Sequence, residues 1–333
     1  MPAVDGGEAG MPATWKSALS DYVRCASRTD VELSSDALRN VVADERYVRL
    51  QAARLGRIAA APDSSRRIVR SETRARLMRV QETAGRVAVD LRLAKKWRYA
   101  SGVEQEHVEF ERVTMNERRG RWIIVRIEPQ PEEKRFAAAR IPPSGLLPEP
   151  FLNRVLVGSR NPGGGKTRYN RLKAKEYADR WWNSANPKFH RFDVDCTNFV
   201  SQCLYAGGAP MNYTGRRDSG WWYEGYVQGR ERWSYSWAVA DSLQLYLRRS
   251  RSGLRGEAAG SARDLMIGDI ISYDWDGNSR YQHTAIVTAF DPDGEPLVNA
   301  HTSDSFQRYW DYRDSHAWSP ATRYAFIHIP DML

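Results

Sequence analysis

From Trp15 to about Ala61 apolar positions recur at helical spacing. Leu19, Tyr22 and Val23 share one face, and "SSDALRNVVADERYVRLQAARLGRIAAA" opens on Ser and Asp and continues in helix formers. Between about Arg66 and Pro129 the period drops toward two. The stretches "RLMRVQET", "GRVAVDLRLAKKWRY", "EHVEFERVTM" and "GRWIIVRIEP" are separated by the turn-like "TAGR", "SGVEQ" and "NERRGR". The pattern predicts four antiparallel strands with helices on one face. After Tyr169 the order is different: helices near "RLKAKEYADRWWN", "CTNFVSQCLYAGG" and "WAVADSLQLYLRRS" come first. Strands near "GDIISYD", "HTAIVTAF", "PLVNAHT" and "RYAFIHI" follow. Both halves read as α+β, the second with helices packed on an antiparallel sheet.

The stretch between the halves is rich in Pro and Gly, including "EPQPEEKRFAAARIPPSGLLPEPF" and "GSRNPGGGKTRYN". The expected organisation is a flexible lead over 1–13, an α+β accessory domain over 14–129, a linker over 130–166 and a second domain over 167–333. A chain of 333 residues fits two domains. The stretch "GGGKT" is not a phosphate loop, because that motif needs Gly where Arg160 stands.

A net charge of +9 favours an anionic neighbour, with an anionic cell-wall polymer among the partners it suits. Nucleic acid is not expected, since the Arg residues are scattered in sequence and no reader motif occurs. The N-terminal stretch lacks a basic and apolar leader and no long apolar run appears. The chain as written therefore reads as cytoplasmic without a transmembrane segment, and as extracellular if a signal peptide has been removed. No cofactor or metal is expected. The "DWDGN" stretch places its Gly too early for a calcium loop and reads as a turn.

Cys25, Cys196 and Cys203 are too few for a disulfide framework. Within "DCTNFVSQCLYAGG", Phe199, Val200, Cys203 and Leu204 follow Cys196 at the spacing of one buried helical face. Cys196 opens that helix, where unsatisfied backbone N–H groups favour a thiolate, with Asp193 or Asp195 expected to cap and Gly207-Gly208 to end it. Cys203 falls in the helix's middle, as a small core residue. A nucleophilic Cys needs a His close by, and His283, opening "HTAIVTAF" after a polar turn, is the candidate. His190 and His328 suit structural roles. If the following hairpin is regular, even separation puts Asn299 and His301 on the face of His283, where either could orient it. Asn183 and Asn186 could supply an oxyanion donor, although turn-forming suits them as well. Of the Trp pairs, Trp181 and Trp182 are expected beside the helix, with Trp221 or Trp222 nearer a cleft; Trp182 and Trp222 are the candidates for substrate contact.

Several separated motifs then occur in one order: "YNRLKAKEYADRWWNSANPKF", "DCTNFVSQCLYAGGAPM", "GWWY", "GDIISYDWDGN", "HTAIVT", "LVNAHT" and "RYWDY". Residues from about 169 to 329 resemble a bacterial amidase domain family related to papain-like cysteine hydrolases, including NlpC-type and CHAP-type peptidoglycan hydrolases. The resemblance implies a papain-like domain using Cys196 as nucleophile, His283 as base and Asn299 as the orienting third residue, with His301 as competitor. It implies hydrolysis of amide bonds in peptides or peptidoglycan fragments. Acyl transfer with the same triad, and a non-catalytic scaffold with a hydrolase-like fold, are the alternatives. Residues 14–129 lie outside this resemblance; their pattern alone resembles the helix-and-curved-sheet folds of the nuclear transport factor type.

Overall fold

The computed structural model describes residues 14–60, 64–135 and 167–333. The expected lead over 1–13, and the expected linker from 136 to 166, lie outside the described residues. The chain divides into two compact units, one of residues up to 102 with 108–130, the other of 103–107 with 131–333.

In the first unit, α1 (Trp15–Glu32) starts where the Thr14 hydroxyl accepts the Ser17 N–H, and α2 (Glu45–Ala59) where Asp44 accepts those of Arg46 and Tyr47. The four expected strands form: β1 (Ile68–Thr83), β2 (Arg86–Tyr99), β3 (Glu104–Arg118) and β4 (Arg121–Pro129), each antiparallel to the next. Along β2 every second residue from Val87 to Tyr99 is buried. Val87, Val89, Leu91 and Leu93 pack against Leu19 and Tyr22 of α1 and Val48 of α2. Each such side chain contributes about 1.5–3 kcal/mol of burial. Farther along the same face Lys95 meets Asp30 and Glu109, and Arg54 pairs with the same two carboxylates. Two cations and two anions thus offset one another inside the unit, as buried charge requires.

In the second unit the helices precede the large sheet, as the pattern predicted, with an unpredicted two-stranded hairpin among them. They are α3 (Arg171–Trp181), α4 (Cys196–Ala206), the hairpin β5 (Tyr223–Val227) and β6 (Arg230–Trp233), α5 (Tyr235–Ala238) and α6 (Ala240–Arg249). Then come β7 (Glu257–Ala258), β8 (Ile270–Asp274), β9 (His283–Phe290), β10 (Pro296–Ala300), β11 (Ser305–Tyr309) and β12 (Arg323–His328). The sheet runs β11-β10-β9-β8-β12-β7, all antiparallel.

Each sheet face has its own core because strand side chains alternate. Ile270, Ile286 and Ile327 face the helices and join Ala174, Ala178, Phe199, Val200, Cys203 and Leu243. Ile271, Tyr273, Trp275, Ala285, Val287 and Val298 face the other way and are covered by Tyr312 and Ala317 of the loop after β11.

Candidate active site

Cys196 is the first residue of α4, and Gly207 follows the helix's last residue. Asp195 occupies the N-cap position, but its side chain makes no capping bond. Both the Asp195 and Cys196 N–H groups donate to the Thr302 hydroxyl, at 3.0 and 3.1 Å. Asp195 turns its carboxylate elsewhere, accepting from Phe192 N and the Asn198 amide and meeting His301 Nδ1 at 2.7 Å. Thr302 holds the left-handed φ of +80° to make this contact. A chain loop from beyond β10 therefore sits over the N-terminus of α4.

The Cys196 thiol is enclosed, with 2% of the residue exposed. Its Sγ lies 3.7 Å from the Thr197 hydroxyl and 3.9 Å from the carbonyl of Gln282, at the threshold of β9. Burial pushes its pKa up, and the Thr197 hydroxyl and Thr284 N–H offset that only in part. The thiolate expected from the helix N-terminus is thus outweighed by desolvation: an isolated anion loses more on leaving water than the first helical turn returns. Cys203 lies in the helix-face core, and burial pushes its thiol up too.

His283 opens β9 and is fully buried, ringed by Tyr273, Trp275 and Tyr312. Its Nε2 is 3.3 Å from the Tyr312 hydroxyl, and its Nδ1 has no hydrogen-bond partner among the described residues, the Cys196 thiol included. Burial and the neighbouring charge of Arg308 push its pKa down to about 3, so the ring is neutral at pH 7. Arg308 stacks over Tyr312, 4.0 Å from the ring centre, and is held by Asp314 and Glu133.

Asn299 does not meet His283. Its Oδ1 accepts from Thr288 Oγ and Gln307 N, and its Nδ2 donates to Asp179 of α3. The reason is a register shift. Leu297 pairs with Ala289, but Val298 pairs with Val287 and Asn299 with Ile286, so one extra residue enters β9 between the two pairs. Without the bulge Asn299 would stand opposite Val287, on the face of His283; with it, the side chain turns to the helix face. His301 follows the same turn: its nitrogens contact Asp195 and the Trp181 carbonyl, and its ring stacks on Phe199 at 4.1 Å. Neither residue orients His283.

Trp181 lies against the helix-face core as expected, though only half-buried, whereas the expected cleft position of Trp221 or Trp222 does not hold. Trp221 and Trp222 are fully buried, the Trp222 indole N–H directed at Thr214 Oγ and the Ser219 carbonyl, which removes Trp222 from substrate contact. Trp181 and Trp182 are half-buried, and Trp182 packs on Phe306. Their neighbour Asn183 is exposed, while Asn186 forms a turn by accepting Lys188 N and donating to Tyr177. His190 is exposed, and His328 pairs with Asp269. In "DWDGN", Asp274 accepts the N–H groups of Asp276, Asn278 and Ser279 and so builds the turn itself.

Sequence reasoning missed Thr302 and Tyr312. Tyr312 ends the "RYWDY" motif, which was the available signal. Thr302 closes the "LVNAHT" motif, which was the available signal there.

Residues 168–327 match the family model described as "Putative amidase domain". A protein of Bacillus subtilis (strain 168), "Uncharacterized protein YhbB", is 51% identical over 168 residues, covering 50% of this chain and 52% of that protein. "Uncharacterized protein YjcM" of the same organism is 26% identical over 129 residues, covering 36% of this chain and 28% of its own length. The match thus spans about half the length of the first relative and less of the second. No solved structure matches. The segment from 168 to 327 is therefore similar to an amidase domain, and it contains Cys196, His283, Thr302 and Tyr312.

Proposed function

We propose that the second unit is a cysteine amidase that cleaves amide bonds in peptides, with peptidoglycan stems or crosslinks as the substrate class its motif order suggests. Cys196 is the nucleophile and His283 the base. The observation that supports this reading is that Cys196 Sγ lies 3.9 Å from the carbonyl of Gln282, the residue before His283, whose buried Nδ1 has no hydrogen-bond partner among the described residues; the thiol and the ring are near in the chain's fold but not hydrogen-bonded.

The tautomer that serves this role has Nε2–H donating to the Tyr312 hydroxyl, which leaves Nδ1 a lone pair for the thiol proton. Tyr312, in place of the expected Asn299, is then the positioning residue, and Arg308 fixes its ring. The resting pair is thiol and neutral imidazole. Proton transfer therefore accompanies substrate entry, when a polar amide replaces part of the lost solvation. The thiolate attacks the carbonyl carbon, imidazolium returns the proton to the departing amine, and water releases the acyl group from sulfur. The Cys196 N–H can serve the oxyanion only after the Thr302 hydroxyl gives way.

Incubation of the full chain with peptidoglycan fragments and with unrelated peptides, read by mass spectrometry for new amines, tests the proposal against Cys196→Ala. Release by the parent chain and not by the variant supports it. Transfer of the acyl group to an added amine would assign an acyltransferase with the same groups. Absence of any Cys196-dependent product from every substrate would favour a scaffold with a hydrolase-like fold.

A further inference from the structure

The first unit contains a groove of about 570 Å³ between α1 and β1, which the amidase reading does not use. Its helix wall carries Trp15, Leu19, Val23 and Ser27, with Lys16 and Arg24 at the rim; Thr73, Ala75 and Leu77 form its strand wall. No acidic side chain lines it.

The strand wall is the end of the sheet. Among the described residues β1 pairs with β2 alone, so the side of this 16-residue strand away from β2 offers unpaired backbone groups along the groove. Among the described residues Thr73 Oγ, within the lining, also lacks a hydrogen-bond partner. Alternation sorts the remaining side chains. Ala75 stands opposite Leu93 and Leu77 opposite Leu91, on the face toward α1. Arg74, Arg76 and Arg79 stand opposite Ala94, Arg92 and Asp90, on the other face, and all three are exposed, with no ion-pair partner among the described residues.

We propose that this edge receives an extended segment of a partner protein in which acidic and apolar residues alternate. The segment would add as a strand to β1, since a strand beside a helix-walled groove is a recurrent peptide-binding geometry. Its inward residues would enter the groove, where Leu19, Val23 and Leu77 suit apolar side chains. Its outward residues would lie one strand spacing, about 4.8 Å, from Arg74, Arg76 and Arg79, which suits carboxylates. A second copy of this chain fits poorly, because pairing two β1 edges brings arginines against arginines.

The probe is a fluorescein-labelled peptide of alternating Glu and Val, about ten residues long to match a strand. It is titrated with the full chain by fluorescence anisotropy, beside an alternating Lys and Val peptide. The expected result is saturable binding of the Glu peptide, about tenfold or more tighter than the Lys peptide, and weaker in high salt. Ala75→Trp, which fills the groove, abolishes binding with an unchanged circular dichroism spectrum. The exposed pair R74E/R76E, which leaves the groove open, lowers affinity about tenfold. No saturable binding, equal binding of the two peptides, or binding indifferent to both variants overturns the proposal. So does a concentration-dependent dimer in sedimentation that Ala75→Trp dissociates, since that would assign the edge to a second copy.

Discussion

Acidification should unfold the second unit through His283, in a window set by its burial. The ordinary imidazole pKa of 6.5 falls to about 3 in the folded state. Below pH 6.5 the unfolded chain therefore takes up a proton that the folded chain refuses, and stability falls as pH falls until about pH 3, where both states are protonated. Within that window the folding constant loses about a factor of ten per pH unit from this group, and about three powers of ten in all. Carboxylates titrate in part of the same range, so the contribution is isolated by comparison with His283→Gln, which keeps a polar side chain of similar reach and cannot titrate. Urea unfolding of the two proteins at half-unit steps from pH 7 to pH 4 is the assay. The parent should become less stable relative to the variant with a slope of one proton. A parallel pair of curves would refute the reasoning, since it would mean that His283 is solvated or paired in the folded state.

Other perturbations separate catalysis from packing. Tyr312→Phe should lower kcat about tenfold or more on any cleaved amide, with little change in KM, because it removes the partner that fixes the His283 tautomer; Asn299→Ala should destabilise the unit without that split. Cys203→Ser should cost about 1–2 kcal/mol in chemical unfolding, by placing a hydroxyl in an apolar core, and leave product release intact. Thr302→Val removes the hydroxyl that caps α4, so unfolding should become easier by about 1 kcal/mol. Arg308→Met strands the buried carboxylates of Asp314 and Glu133 and should cost about 3–5 kcal/mol in the same assay.

The periodicity was informative wherever burial alone decides an element. The β2 stretch "GRVAVDLRLAKKWRY" alternates so strictly that its inward side is legible residue by residue, and the four strands of the first unit form where the period drops toward two. The helix start at Cys196 and its end before Gly207 were equally legible, as was the burial of Cys203, because helical spacing and local chain termination record them. The partner of His283 was not. Parity in a hairpin assumes continuous pairing, and one residue bulged from β9 reverses the outcome for both Asn299 and His301. The protonation states were hidden for a different reason. A helix N-terminus is visible in sequence, whereas the enclosure of Cys196 by Thr302 and the β9 threshold depends on a loop more than 100 residues away. The burial of Trp221 and Trp222 was hidden likewise, since size alone does not tell which indole N–H finds a buried acceptor.

The central claim is that Cys196, served by His283, is the nucleophile of the second unit. Its most direct measurement is the rate of iodoacetamide labelling of each cysteine in the folded chain at neutral pH, read by peptide mass spectrometry for the parent and for His283→Ala. Because Cys196 rests as an enclosed thiol, the account predicts slow labelling that is still faster than that of Cys203, which lies in the apolar core, and that the substitution slows Cys196 alone. Equal rates for the two, or a Cys196 rate indifferent to His283→Ala, would contradict it.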